Sequence, residues 1–215
     1  MAEVSSSYSE RPIVNYGVSG SKKKFYHASK EPKEGYAAIE KTDGTLTYHR
    51  YVDGLTGKIT KVDLRDSPFG KQLVVFLTDS EQISSIQVGL DSAPYRVLID
   101  SIFNAELSED LVIKFYGKKD KAGKEWQNCY SAYLNQIKDG KNVMIERLDT
   151  KDCPQGKQKA SGKWDFSGQE EWYYDRLQEL IGRVEKFKLE KGMESKPAVK
   201  EDKPVVASNL DDLDF

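Results

Sequence analysis

Residues 82–116 read QISSIQVGLDSAPYRVLIDSIFNAELSEDLVIKFY, a strand, a helix and a strand in close succession. The helix rests on Tyr95, Leu98, Ile99, Ile102 and Phe103, which fall at i, i+3, i+4, i+7 and i+8 and form one apolar stripe. Asp91 and Ser92 offer N-caps, and Pro94 stands where a first turn tolerates a missing N–H. The stripe is core. On either side the period changes from helical to alternating, so this helix interrupts a set of strands.

Upstream of it, Lys58–Arg65 (KITKVDLR), Lys71–Thr78 (KQLVVFLT) and Gln82–Leu90 are short, β-branched runs separated by turn residues, as in an antiparallel meander. Tyr36–Val52 reads as a hairpin about Asp43-Gly44, a dipeptide suited to a tight turn. Downstream lie Leu111–Tyr116 (LVIKFY), Trp126–Ile137 (WQNCYSAYLNQI) and Val143–Leu148 (VMIERL). Ser167-Gly168-Gln169-Glu170 has the form of a capping box. It opens a second helix with Tyr173, Leu177, Leu180, Ile181, Val184 and Phe187 on one face, packed on the strands or against a twin. Three strands, a helix and further strands fit a mainly β fold with two helices. The specific expectation is a five-stranded OB-fold barrel, with an N-terminal hairpin extension and a C-terminal helix. The expected organisation is a flexible arm over 1–35, the OB-fold domain over 36–166, the helix over 167–192, a linker over 193–208 and an acidic tip over 209–215.

The formal net charge of the 215 residues is -2, but its distribution is uneven. Lys114–Lys163 carries twelve Lys/Arg against six Asp/Glu, and Met193–Phe215 three Lys against six acids. A basic working surface with an acidic tail follows. The two cysteines, Cys129 and Cys153, form no CxxC pattern and suggest neither a disulfide framework nor a zinc site. The first residues have no apolar run of signal-peptide type, and no run approaches a membrane span, so a cytoplasmic protein (host cytoplasm if viral) is expected. His27 and His49 are the only histidines, neither in a recognisable catalytic signature, and no phosphate-binding glycine loop is present. The expectation is a non-enzymatic protein without cofactor or metal.

The constellation that points to function is the hairpin Lys114–Tyr133. Lys114, Lys118, Lys119, Lys121 and Lys124 surround a flexible loop, with Tyr116, Trp126, Tyr130 and Tyr133 on its flanking strands. By alternation Phe115 joins Leu111 and Ile113 in the core, while Tyr116 stands beside Lys114 facing out. Tyr130 and Tyr133 have opposite parity, so one of the two lines the groove. Arg65, Phe69 and Lys71, at the turn between the first two strands of the barrel, would line the other side. Single-stranded nucleic acid needs cations along its backbone and ring faces for its bases, and this set supplies both. Lys22-Lys23-Lys24-Phe25-Tyr26 offers the same chemistry near the N-terminus.

Asn209-Leu210-Asp211-Asp212-Leu213-Asp214-Phe215 then closes the chain on a linker too poor in large apolar residues to fold alone. A charged, Phe-ended tip on a tether is a ligand for a partner or for a basic groove on its own molecule. With this tail, the layout resembles the single-stranded DNA-binding proteins of bacteria and bacteriophages. Bacterial members end in an acidic run and Ile-Pro-Phe; this chain lacks the proline, and its linker is Lys/Glu/Pro/Val rather than Gly/Gln rich, which leans toward the phage type. The resemblance implies a protein that coats single-stranded DNA in replication, recombination and repair. Its tail (Asp211, Asp212, Leu213, Asp214, Phe215) would recruit polymerase, helicase or primase, and would compete with DNA for the groove. No membrane partner is expected, and monomer and dimer both stay open. Two rival readings remain at this point. One is an OB-fold protein–protein adaptor of the replication machinery without DNA affinity. The other is a metal-dependent nuclease using acid pairs such as Asp63 with Asp66 or Asp211 with Asp212.

Overall fold

The structure, a computed structural model, describes residues 11–68, 70–119, 123 and 125–192, and the side chains of these except 118, 119, 125–131 and 133. Phe69, Lys121, Lys124, the linker and the acidic tip therefore lie outside the described residues. The strands in chain order are β1 (Ile13–Ser19), β2 (Lys24–Ser29), β3 (Ala37–Glu40), β4 (Leu46–Val52), β5 (Gly54–Ser67), β6 (Gly70–Thr78) and β7 (Ile83–Gly89). After helix α1 (Ala93–Ile102) come β8 (Asp110–Lys119), β9 (Glu125–Lys138), β10 (Lys141–Met144), the short β11 (Lys157–Gln158) and β12 (Trp164–Asp165), and helix α2 (Ser167–Glu190). The described residues are mainly β with two helices. No helix among the described residues is long and apolar enough to cross a membrane.

Ten strands form one sheet in the order β10-β9-β8-β5-β6-β7-β1-β2-β4-β3. Its neighbours are antiparallel except β1 and β7, which run parallel, Ile13 beside Ile83 and Tyr16 beside Ile86. The closed five-stranded barrel expected from the strand count does not form. Among the described residues the ladder stays open, because the edge of β7 is taken by β1 and that of β9 by β10. Residues 13–29, read from sequence as part of an irregular arm, are thus two strands of the sheet. Their signal was the alternation Val14, Tyr16, Val18, with Val18 opposite Phe25, masked by the Ser, Gly and Lys around it.

β5 has two partners in succession and bends between them. Gly54–Gly57 pairs with β8 and Lys58–Ser67 with β6, with a register shift between Ile59 and Lys61. Gly57 stands at the hand-over with φ of +145°, and a Cβ there would come 2.9 Å from the Thr78 carbonyl oxygen. Only glycine fits such a corner. The bend curls the sheet so that β2 comes back against β5 and β8, where the Phe25 and Phe115 rings meet edge to face at 5.1 Å.

The inner face of this curl is the core: Leu73, Leu77, Ile86, Leu111 and Ile113 are fully buried. α1 lies across β7 and β9 and buries Tyr95, Leu98, Ile99 and Ile102, the stripe expected of it. Ser92 occupies its N-cap position, though its hydroxyl turns back to the Gly89 carbonyl instead of capping. α2 packs on β5 and α1 of its own chain through Tyr173, Leu177, Leu180 and Val184, the first of the two placements read from the sequence. The capping box at its start is not formed. The helix begins one residue early, with Phe166 as N-cap, and the Asp165 carboxylate accepts the Ser167 N–H at 3.1 Å. That bond, with the Ser167 hydroxyl and Lys159, holds the Asp165 carboxyl below the usual range.

Three substitutions test this packing by urea unfolding. Leu180→Ala, which empties a fully buried site, is expected to destabilise by ~2–5 kcal/mol. Gly57→Ala is expected to cost more than ~1 kcal/mol through strain and contact with Thr78. Gly182→Ala, in mid-helix with open space around it, should stabilise by ~0.5–1 kcal/mol.

Candidate nucleic-acid interface

Alternation along each strand puts a second set of side chains on the outer face of the curl. On β8 these are Lys114 and Tyr116, both exposed, while Ile113 and Phe115 are buried on the other side, as the alternation required. Tyr116 is 44% exposed, and its hydroxyl accepts from the Arg147 guanidinium at 3.3 Å. Arg147 is itself anchored on the Ala132 carbonyl at 2.8 Å. Opposite Lys114 lies Gly54, which has no side chain to cover the lysine stem.

The curl brings the N-terminal lysines to the same place. Lys24 pairs with Asp53 at 2.8 Å. The Lys24 ammonium, bonded to the carboxylate and close by in charge, then Lys114, hold the Asp53 carboxyl below its ordinary range. Two cations from strands ninety residues apart therefore face one exposed acid, which leaves the local balance positive. Lys23, held at φ of +54° in the β1–β2 turn, lies against Gly117 of β8. Lys22 sits 4.1 Å above the Tyr51 ring, within cation–π range. Tyr51 borders Tyr26, which stacks on His49 at 4.6 Å and lies over Gly17, where a Cβ would meet its ring at 2.5 Å. The result is a strip running from His49, Tyr51 and Lys22 through Lys24 and Lys114 to Tyr116 and Arg147. Phe25 and buried Tyr26 support it from beneath rather than offering free faces.

The residues expected on the other wall stand elsewhere. Gly54 marks the Lys114 end of β5, whereas Ser67 pairs with Gly70 at the far end, beside Lys71. Thirteen residues of strand separate them, ~40 Å if fully extended. Arg65 is engaged by Asp63 at 3.7 Å and by the Phe76 ring at 5.3 Å. Burial pushes the Asp63 carboxyl up, but bonded Lys61 and nearby Arg65 outweigh it and hold it below the usual range. Lys71 is exposed at the hairpin end. Between the two ends the outer face carries a polar band, in which Asn15 accepts from Ser85 and Gln87. The register sets Tyr133 opposite Lys114, Tyr130 opposite Gly117, and Lys119 opposite Glu125. Of the remaining expected residues, the side chains of Lys118, Trp126 and Tyr130 are not described, and Phe69, Lys121 and Lys124 lie outside the described residues.

Sequence reasoning missed His49, Tyr51 and Arg147. His49 and Tyr51 alternate on β4 in register with Ala28 and Tyr26, a cue that became visible only once β2 was known to be a strand. Arg147 follows the last strand of the sheet and had no local signal at all.

No metal-binding cluster of His, Cys, Asp and Glu occurs among the described residues. No protein-family model matches the chain, and no curated protein matches it.

The strip has a titratable member. Burial, then the charges of Lys22 and Lys41, lower the pKa of His49 from its ordinary 6.5. The unfolded chain then binds the proton more readily, so His49 contributes stability that is present above about pH 6.5 and is lost as pH falls below it. Comparing thermal midpoints from pH 8 to pH 5, the wild type should lose stability more steeply than His49→Gln; parallel curves would contradict this.

Proposed function

We propose that the protein is a sequence-tolerant single-stranded DNA-binding protein, non-enzymatic, that coats unpaired strands during replication, recombination and repair. The observation that carries this reading is the outer strip on which Lys114, exposed Tyr116 and Arg147 lie beside Lys24 of β2 and Lys22 and Lys23 of the turn before it. Several cations with a ring face among them suit a polyanion whose residues each present a π-surface. A double helix hides those faces; an unpaired strand does not.

The fold is taken, within the same proposal, as a divergent OB-type arrangement. Strand β5 shared between β6 and β8, with a helix between β7 and β8, is the order such a barrel uses, and β1 stands where its last strand would close the ring. OB-folds bind oligonucleotides on the face of their second and third strands and on the loops joining strands one to two and four to five, which here correspond to β6, β7, the β5–β6 turn and the β8–β9 loop. The acidic, Phe-ended tip is the proposed recruiting element for polymerase, helicase or primase, and competes with DNA for the basic strip by charge.

A fluorescent oligo-dT titrated across a salt series tests the reading. The full chain should bind, with affinity falling as salt rises. Tyr116→Ala should lose ~1–3 kcal/mol, one stacked base, and Lys114→Glu should weaken binding and lower the salt slope by about one. A chain ending at Ser208 should bind more tightly than the full chain, most visibly at low salt. Labelled strands incubated with the protein and magnesium should stay intact. A chain that binds no oligo-dT in either form would leave the adaptor reading in place of this one.

A further inference from the structure

The segment that joins the sheet to α2 carries a second basic and aromatic surface, which the strip on β8 does not use. Residues 151–166 hold four lysines against two aspartates. The β11–β12 pair gives this segment a defined shape, with Gln158 opposite Trp164 and Lys157 opposite Asp165. Its turn is closed by two bonds of 2.8 Å, from the Lys159 N–H to the Lys163 carbonyl and from the Gly162 N–H to the Lys159 carbonyl.

Trp164 and Phe166 lie side by side, their rings within 19° of parallel with centroids 6.2 Å apart. Trp164 is 60% exposed and Phe166 43%. Phe166 is seated on Gly156, where a Cβ would meet its ring at 2.4 Å. Lys159 is occupied by Asp165 at 3.4 Å, whereas Lys157 and Lys163 are exposed and form no ion pair among the described residues. Two solvent-facing rings in fixed, near-parallel orientation do little for the core. A protein-docking hot spot would set a tryptophan within an apolar surround. Here the surround is lysine, which matches a ligand with both π-faces and regular negative charge.

Position supports the same ligand. The hairpin leads directly into α2, whose first turn holds Arg96 of α1 through Gln169 and Glu170. The start of α1 follows the end of β7, where the Leu90 N–H bonds the Lys71 carbonyl at 3.1 Å. The hairpin thus belongs to the Lys71 end of the sheet, opposite the Tyr116 end. We propose that β11–β12 is a second contact for single-stranded nucleic acid, with Trp164 and Phe166 stacking on bases and Lys157 and Lys163 on the flanking phosphates. It rests on the single-strand reading above. Because β5 is bent, its ends are no more than ~40 Å apart, and a strand touching both would cover up to roughly twelve nucleotides at ~3.4 Å each.

The test uses the full chain with dT8 and dT30. The double variant Trp164→Ala/Phe166→Ala should bind dT30 at least tenfold more weakly while dT8 changes less than threefold. Lys157→Glu/Lys163→Glu, confined to exposed positions, should show the same length dependence, and Trp164→Tyr should retain most of the dT30 affinity. Far-UV circular dichroism and the thermal midpoint are measured on each variant. If dT30 binding is unchanged in both double variants while the wild type binds, this contact is overturned and the rings are left to a protein partner. Equal losses on dT8 and dT30 overturn it as a second contact. If the wild type binds neither oligomer, the single-strand reading itself fails and takes this with it.

Discussion

The corner at Gly57 is the constraint on which the rest depends. One long strand serves two neighbours in turn, and the change of partner happens where a glycine at φ of +145° is pressed against the Thr78 backbone. A straight strand would give a flat sheet with β2 and β8 far apart. The bent one folds the sheet toward itself, and the Phe25–Phe115 contact holds the curl from inside. Everything on the outer face inherits its neighbours from that geometry.

The outer strip is consequently a product of curvature rather than of any local motif. Lys24 and Lys114 are remote in sequence, yet both act on the Asp53 carboxylate. Lys22 rides on Tyr51, and Tyr26 is held between His49 and Gly17. Ion pairs with exposed partners, such as Lys24 with Asp53, are weak and exchangeable in water, so these lysines can change partner when a stronger polyanion arrives. Buried cations would lack that freedom. The inner wall, by contrast, is buried and mostly apolar, which keeps the outer side chains in register.

The helices complete the body without entering the strip. α1 lies across β7 and β9, and α2 lies along β5 and α1, tied by Arg183 to the carbonyls of Phe103 and Ala105 and by Arg96 to Gln169. Both burial stripes face inward, which turns the polar sides to solvent. The loop leading into α2 is shaped by its own pair of short strands and by the Asp165 cap.

Much of the secondary structure was legible in the chain itself. The stripes of α1 and α2, the runs of β6, β7 and β8, and the split of Phe115 from Tyr116 follow from period, because burial on one face acts on each element locally. The start of α2 was misread by one residue, since caps depend on where the backbone first turns. The strands of residues 13–29 were missed, because Ser19, Gly20 and the lysines around them carry no β preference and pairing with β7 supplies it. For the same reason the open ladder could not be foreseen: which strand covers an edge is a competition among distant segments. Composition and alternation determined that this chain has basic, ring-bearing outer positions. Only the tertiary structure decided which of them meet, because that depends on where β5 bends.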